Sequence, residues 1–345
     1  MSLSNPSQLL LRNIDLLNAK KPLLINPPAD QLCREIKQQY SDTELSCFTF
    51  NYADHCYLTQ LSNAQCHFGA SYQPSDNNKH DLVVIFFPKS KNEFSYTLAM
   101  LANHLTDNAN VLIVGENKGG VKSTIKLSQD FLNYGEKIDS ARHCTLFSGE
   151  FTGQRNHFEL AQWYKNYSLK INNIELTISS LPGVFSQKEL DVGTKLLLNN
   201  LPEKMQGEVL DFGCGAGVIS AYLGKKHPQT QLNLLDVNAL ALNSAEHTLA
   251  INGLQGNVFA SDSLSNVKGN YQHVVSNPPF HQGLKTHYAA TETFLAGVKK
   301  HIKKSGDITI VANNFLRYQS IMEDNITKTT KVINKNGFAI YRCRL

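Results

Sequence analysis

From residue 209 to the C-terminus, short apolar runs alternate with stretches of helical period, and few folds accommodate that alternation. The runs lie at residues 209–212, 232–235, 257–260, 273–276 and 308–311 and read as strands. Between most of them the period is helical, most clearly over 238–252, where Leu240, Ala241, Ser244, Ala245, Thr248 and Leu249 share a face. Strand, helix, strand in this order predicts a mostly parallel sheet covered by helices. The end of the chain departs from the pattern. Two strand-like stretches, 329–334 and 338–342, flank Lys335, Asn336 and Gly337, and Asn-Gly supplies the positive φ angles of a tight hairpin, so the last two strands should be antiparallel.

The first half carries a weaker version of the same plan. Strands are expected at 23–26, 47–50, 82–87 and 111–114, with helices near 30–40, 92–104 and 121–133, which suggests a duplicated α/β unit. A length of 345 residues also predicts two domains, each large enough for its own core. The best boundary lies within 165–185. There Leu169, Ile171, Ile174, Leu176 and Ile178 alternate before Pro182-Gly183 breaks the pattern, so the expected domains are residues 1–165 and 166–345. Ser186 and Glu189 fit a capping box that opens a helix over 186–199.

Composition removes several classes. With 41% hydrophobic and 18% charged residues, disorder and coiled coil fit poorly. No apolar run approaches the ~20 residues of a membrane span, and the N-terminus lacks a basic and then apolar leader, so a cytoplasmic protein is expected. Seven scattered cysteines without a ligand-like spacing read as reduced thiols and give no metal site. The net charge of +4 is unevenly spread: residues 1–180 hold 16 Lys+Arg against 17 Asp+Glu, and residues 181–345 hold 17 against 12.

The chemistry concentrates at predicted strand ends. Asp211, Gly213, Gly215 and Gly217 close the 209–212 strand, where glycines permit both a tight turn and close backbone approach to a ligand. Asp236 ends the next strand, placed to accept ribose hydroxyls, and Asp262 follows the third, placed to accept from an adenine amino group. A glycine turn with carboxylates at successive strand ends suits a nucleoside without phosphates, and Asp211 would repel pyrophosphate but favour a cationic group. This pattern resembles class I S-adenosylmethionine (SAM) methyltransferases. A NAD-like site or a bare turn is the alternative for the glycines, and a helix cap or solvated strand end for each aspartate.

Asn277, Pro278, Pro279 and Phe280 end the fourth strand, on the same carboxyl edge. N-P-P-F resembles the motif of enzymes that methylate a planar, conjugated nitrogen. Such a nitrogen is a poor nucleophile because its lone pair is delocalised. By that resemblance, the Asn277 side-chain oxygen and the Pro278 carbonyl accept the two amino protons, the prolines stiffen the loop, and Phe280 stacks on a base. A strand-ending turn is the plain alternative. His281 reads as a bystander or substrate contact, because no strong base is needed. Upstream, Phe185 is placed to wall the pocket or simply to pack, and Asp191-Val-Gly-Thr194 lies in a region that covers cofactor or substrate in related enzymes.

The succession L-P-G-V-F-S, L-D-V-G, D-F-G-C-G-A-G-V, S-N-P-P-F-H and I-V-A-N-N-F-L closely resembles the bacterial ribosomal RNA small subunit methyltransferase C family. The likeness reaches into the first half through residues 114–123 and 137–144. The resemblance implies two tandem Rossmann-like α/β methyltransferase domains: a degenerate first one, and a second with a seven-stranded class I fold and a terminal antiparallel hairpin. It also implies SAM-dependent methylation of one guanine N2 in 16S rRNA, with the assembled 30S subunit as partner; a monomer that acts away from membranes is expected. The same N-P-P-F chemistry on adenine N6 or a glutamine amide, or an RNA-binding assembly factor with a vestigial SAM site, are the competing readings. Asn26-Pro27-Pro28 imitates the catalytic tripeptide but is followed by Ala29, and residues 115–123 imitate a phosphate loop with one residue too many. Both are expected to be inactive, the second as a degenerate cofactor loop kept for folding, for packing on the second domain or, with Lys118 and Lys122, for RNA contact. Lys299, Lys300, Lys303 and Lys304 read first as a solvated face and second as phosphate contacts.

Overall fold

The computed structural model of the chain describes residues 2–61, 64–74, 79–278 and 285–345. They form two compact units, Met1–Trp163 and Tyr164–Leu345. In the first, β1 (Pro22–Ile25), β2 (Ser46–Thr49), β3 (Gln65–Phe68), β4 (His80–Phe86), β5 (Leu105–Glu116), β6 (Leu132–Ala141) and β7 (Cys144–Phe151) form one sheet in the order β3-β2-β1-β4-β5-β7-β6. The first five are parallel, and the β6–β7 hairpin adds antiparallel to β5.

The second unit opens with a hairpin, β8 (Lys165–Ile171) and β9 (Ile174–Ser180), reversed by Asn172 and Asn173 at φ 48° and 66°. The alternating apolar residues around 170 belong to this hairpin. Its sheet contains β10 (Gly207–Phe212), β11 (Thr230–Asp236), β12 (Asn257–Ala260), β13 (Tyr271–Ser276), β14 (Ile302–Asn313), β15 (Thr330–Lys335) and β16 (Phe338–Arg344). The order β12-β11-β10-β13-β14-β16-β15 repeats that of the first sheet strand for strand. The terminal hairpin is antiparallel as expected, with Asn336 and Gly337 at φ 54° and 81°.

The central strands are apolar because both faces are covered. Leu210, Val274, Val275, Ile308, Ile310 and Val311 are all essentially inaccessible to solvent, and burying each contributes about 2 kcal/mol before entropy is counted. The helix Ala239–Ile251 begins at Asn238, which caps it through Oδ1 to the amides of Leu240 and Ala241. Leu240, Ala245 and Leu249 pack into the core. Ser244 and Thr248, on the same face, instead accept backbone N–H groups of Leu181 (2.9 Å) and Ser179 (3.0 Å), fixing the hairpin edge to the helix.

Two local expectations are corrected. The helix expected over 186–199 spans Val192–Asn199 and is capped by Asp191, whose Oδ2 accepts the Thr194 amide at 2.9 Å. Ser186 has φ 58°, a left-handed conformation incompatible with the extended geometry of an N-cap, so the capping box does not form. The helix expected over 121–133 reduces to the 3₁₀ turns Asn117–Gly119 and Val121–Ser123 and the single turn Thr124–Leu127. The chain then enters β6, an edge strand that is largely exposed and therefore carries no apolar signature.

Candidate active site

The loop after β10 divides its three glycines between two physical tasks. Gly213, Gly215 and Gly217 all have positive φ, at 69°, 53° and 75°. Among the described residues, a Cβ on Gly213 or Gly215 would meet no atom within 4 Å, so both face space that those residues leave open at the carboxyl edge of the sheet. A Cβ on Gly217 would instead lie 3.1 Å from the Cα and Cβ of Ala245, so this glycine lets the helix Val218–Lys226 pack tightly against its neighbour. Gly213 and Cys214 both donate their amides to the Leu235 carbonyl at 2.9 Å, which anchors the turn to β11.

Two carboxylates shape this turn. Asp211 is fully buried; its Oδ2 accepts the Ser220 hydroxyl (2.7 Å) and amide (3.2 Å), while Oδ1 has no partner among the described residues. Burial pushes its carboxyl up to about 7, with Asp236 adding to the effect and the Ser220 hydrogen bonds opposing it. Asp236 accepts the Gly215 amide through Oδ2 (3.0 Å) and the Asn238 amide through Oδ1 (2.9 Å). Its carboxyl is also raised, because burial outweighs these backbone hydrogen bonds. Three backbone amides, those of Gly215, Val237 and Asn238, meet this carboxylate, which offers about four lone-pair sites, so the residue that shapes the glycine turn can also accept from a ligand. Asp262 is exposed in the loop after β12, and its backbone carbonyl accepts the Ser265 amide.

The fourth strand end is tied to the first. Ser276 donates its hydroxyl to the Phe212 carbonyl at 2.7 Å, so the residue before Asn277 is pinned to the residue before the glycine turn. Beneath it, Phe212 stacks on Phe294 with ring centroids 3.7 Å apart. Asn277 Nδ2 donates to Asp191 Oδ2 (3.1 Å) and Thr194 Oγ1 (2.8 Å). A carboxylate only accepts, so Asp191 fixes which end of the Asn277 amide is nitrogen. Oδ1 is thereby turned the other way, buried and without a partner among the described residues. An unsatisfied buried acceptor of this kind is costly unless a ligand donor meets it.

Gly193 makes this arrangement possible. A Cβ there would sit 3.0 Å from both Asp191 Oδ2 and the Phe338 ring. The 191–194 segment therefore does more than lie near the pocket: its cap carboxylate and threonine orient the asparagine. Sequence reasoning noticed the segment but missed that role. The usable signal was an Asp three residues before a Thr at a helix start, a side chain able to cap and to point outward at once.

The remaining site expectations separate. Pro278 is buried directly after Asn277; Pro279, Phe280 and His281 lie outside the described residues. Phe185 is 52% exposed in the turns before Asp191. Lys118 and Lys122 are exposed in the other unit, after β5. Lys299 and Lys300 precede β14, and Lys303 pairs with Glu208 at 3.1 Å; all stand at the amino end of that strand, opposite Asn277. The Asn26-Pro27-Pro28 decoy follows β1, the strand that matches β10 and not β13. There Asn26 Oδ1 accepts the Phe50 amide at 3.0 Å, a structural tie.

Among the described residues, the strand ends of the second unit bring together the acceptors Asp211 Oδ1, Asp236, Asp262 and Asn277 Oδ1. Open space over two glycines and two orphaned buried acceptors fit a ligand that is cationic and rich in donors, as the nucleoside inferred from the sequence is. Among the described residues no group of His, Cys, Asp and Glu is arranged to hold a metal ion, and no helix is long and apolar enough to cross a membrane.

The Methyltransferase small domain model matches residues 175–342, and the Methyltransferase small domain N-terminal model matches residues 7–167. The ribosomal RNA small subunit methyltransferase C of Colwellia psychrerythraea is 54% identical, with 100% of this chain and 99% of that protein aligned. That of Psychromonas ingrahamii is 43% identical over 99% and 97%. Among solved structures, the T. thermophilus 16S rRNA N2 G1207 methyltransferase, in complex with AdoMet and guanosine, has the same fold: TM-score 0.85 at 20% identity, covering 99% of this chain and 92% of that one. With full-length identity at this level, the chain belongs to the ribosomal RNA small subunit methyltransferase C family.

Proposed function

We propose that the chain methylates the exocyclic N2 of one guanine in 16S rRNA from S-adenosylmethionine, acting as a cytoplasmic monomer on the assembled 30S subunit. The observation that carries this reading is the Asn277 amide, held by Asp191 and Thr194 with its buried oxygen unpartnered among the described residues. Bound S-adenosylmethionine supplies an electrophilic methyl group on a cationic sulfur. Asp211, Asp236 and Asp262 hold the cofactor's cationic and hydroxyl groups, and the Gly213 and Gly215 backbone lets it approach, while Gly217 keeps the supporting helix close.

The substrate amine is conjugated with its ring and donates poorly. Asn277 Oδ1 accepts one amino proton and the Pro278 carbonyl the other, which holds the nitrogen with its lone pair turned out of conjugation. The family resemblance gives Pro279 and Phe280, outside the described residues, the tasks of stiffening the loop and stacking on the base. After transfer the nitrogen is cationic and its proton acidic, so water suffices as the base and no role for His281 is required. Phe185 offers an exposed aromatic face on the same unit. A base drawn from a helix must flip out to reach this edge. Residues 1–165 serve as a degenerate partner domain that supports folding and RNA contact, and 166–345 carry catalysis.

The test uses labelled S-adenosylmethionine and 30S particles that lack this methyl group. After digestion of the RNA, label is expected in N2-methylguanosine; label in N6-methyladenosine, in protein, or nowhere overturns the reading.

A further inference from the structure

The order β12-β11-β10-β13-β14-β16-β15 divides the carboxyl edge of the second unit into two halves. The glycine turn, Asp236 and Asp262 stand at the ends of β10, β11 and β12, and a cofactor held there leaves the half over β14 and β16 for the substrate. Asn277 follows β13, at the seam between them. The segment 313–316, distinctive in the sequence, closes β14 on the substrate half and has no task in holding the cofactor or aiming the amide.

Apolar exposure is concentrated around this half. Among the described residues, the three most exposed large apolar side chains are Phe315 at 56%, and Phe185 and Val192 at 52% each. Val192 adjoins Asp191, whose carboxylate holds Asn277, and Phe315 lies two residues beyond the end of β14. The two stretches are joined through the start of β16. A Cβ on Gly193 would sit 3.0 Å from the Phe338 ring, Phe338 pairs with Asn313, and the Asn314 amide donates to the Gly337 carbonyl at 2.9 Å. A continuous path therefore runs from the Asn277 amide through Asp191, Gly193 and Phe338 to the turn that carries Phe315.

That turn is built to display its ring. The Leu316 amide donates to the Asn313 carbonyl at 3.0 Å, Leu316 packs against the core, and Tyr318 is buried, so the chain is fixed on both sides of Phe315. An exposed phenyl ring on a fixed turn adds little to the core and offers the face that an unstacked nucleobase needs. Arg317, two residues on, is exposed and takes part in no ion pair among the described residues. Its carbonyl accepts from the Ser320 hydroxyl (2.9 Å) and the Ile321 amide (3.3 Å), which holds the backbone and leaves the guanidinium to solvent.

The register sets what this ring can meet. Ser276 is level with Ile310, so Asn277 is level with Val311, and Phe315 stands one strand across, about 5 Å, and as many as four residues further out. That offset suits the next nucleotide and not the target base itself. We propose that Phe315 is the stacking platform for the nucleobase adjacent to the target guanine, and that Arg317 holds a phosphate beside it. The proposal rests on the RNA-substrate reading above and names the residues that hold the flanking nucleotide. Stacking tolerates any base, so Phe315 sets the position of the strand over β14, and Asn277 receives the amine that this position delivers.

The test uses the full-length chain and 30S particles that lack the methyl group, with equilibrium binding to the particle measured beside methyl transfer from labelled S-adenosylmethionine. Phe315→Ala should weaken particle binding and raise KM by about fivefold to a hundredfold, while kcat at saturation stays within about threefold. Cofactor affinity and melting temperature should hold, because the ring is largely exposed. Phe315→Trp should restore binding, whereas Phe315→Leu, apolar but without a π face, should stay near the alanine variant. Arg317→Gln should reduce the slope of log affinity against log salt by about 1. The control Ile251→Ala alters another exposed apolar residue, at the C-terminal end of the helix Ala239–Ile251, and should bind as the wild type does. Binding by Phe315→Ala within about twofold of the wild type, a leucine variant equal to the tryptophan one, or an equal loss in the control overturns the proposal. Particle binding needs no methyl transfer. A wild type that binds the particle but yields no N2-methylguanosine rejects the functional reading and leaves Phe315 to be judged by binding; normal methylation with undiminished binding by Phe315→Ala rejects this proposal alone; a wild type that does not bind the particle rejects both.

Discussion

Asn277 Nδ2 lies 3.1 Å from Asp191 Oδ2, and the same oxygen caps the helix Val192–Asn199 through the Thr194 amide. One carboxylate oxygen therefore sets a helix start and the direction of the amide beside it. Thr194 completes the clamp at 2.8 Å.

Asp191→Ala should lose both functions. Removing the cap costs about 1 kcal/mol of stability. Releasing the amide should lower kcat by about 10-fold to 100-fold, the range expected when an aimed polar group loses its geometry. Asp191→Ser retains a capping oxygen on a shorter side chain, so its melting temperature should recover while its kcat stays low. If kcat recovered together with stability, Asp191 would be a cap only.

Asp211 predicts a stability profile with a definite sign. Its folded-state carboxyl is raised from an ordinary 3.8 to about 7, so the native state holds a proton that the unfolded chain has released. Stability of the ligand-free protein should fall as pH rises through that window and level off above about 7. A shift of this size corresponds to at most about 4 kcal/mol. Asp211→Asn should flatten this profile and be the more stable protein at pH 8, though Asp236, raised in the same direction, leaves a residual slope. Denaturant titrations of both proteins from pH 5 to 8 decide the matter; parallel profiles would contradict it. A cationic ligand favours the carboxylate, so cofactor binding should tighten over the same range.

The glycines should separate binding from folding. Gly215→Ala places a methyl in open space at φ 53°, so it should cost about 1 kcal/mol of stability and yet weaken cofactor binding at least about tenfold. Gly217→Ala drives a methyl against Ala245 at 3.1 Å and should cost about 1–3 kcal/mol beyond its backbone strain. Calorimetric affinities and melting temperatures measured on both variants check this ordering, and equal loss of stability in the two would refute it.

Asn26→Ala tests the decoy. Removing the acceptor for the buried Phe50 amide should lower the melting temperature by an amount equivalent to about 1–2 kcal/mol, with methyl transfer at low temperature unchanged. A selective loss of rate without loss of stability would give the first Asn-Pro-Pro a part in the chemistry.

The second sheet was readable because its strands are buried on both faces and separated by helices with strong periodicity. β12 begins and ends at the residues its apolar run suggested, and Asn336-Gly337 announced the terminal hairpin. What failed was governed by contacts distant in sequence. Ser186 and Glu189 satisfy the local pattern of a capping box, but Asp191 starts the helix and also bonds Asn277, 86 residues away, a partner no local pattern reveals. β6 escaped because an exposed edge strand needs no apolar face, and β14 was read short because its opening Lys303, Lys304 and Ser305 are polar. At the site, the identities of Asp211, the glycines, Asp236 and Asn277 were legible; the differing tasks of Gly215 and Gly217, and the orientation of the asparagine, required the fold.

The most direct measurement is the single-turnover rate of methyl transfer by Asn277→Ala on undermodified 30S particles, with S-adenosylmethionine affinity determined on the same preparation. Removing an aimed acceptor for the reacting amine should lower the rate by about 10² to 10³, while cofactor affinity falls less than tenfold. A rate within a few-fold of the wild type would contradict the central claim that the Asn277 oxygen, oriented by the hold of Asp191 and Thr194 on Nδ2, prepares the amine for transfer.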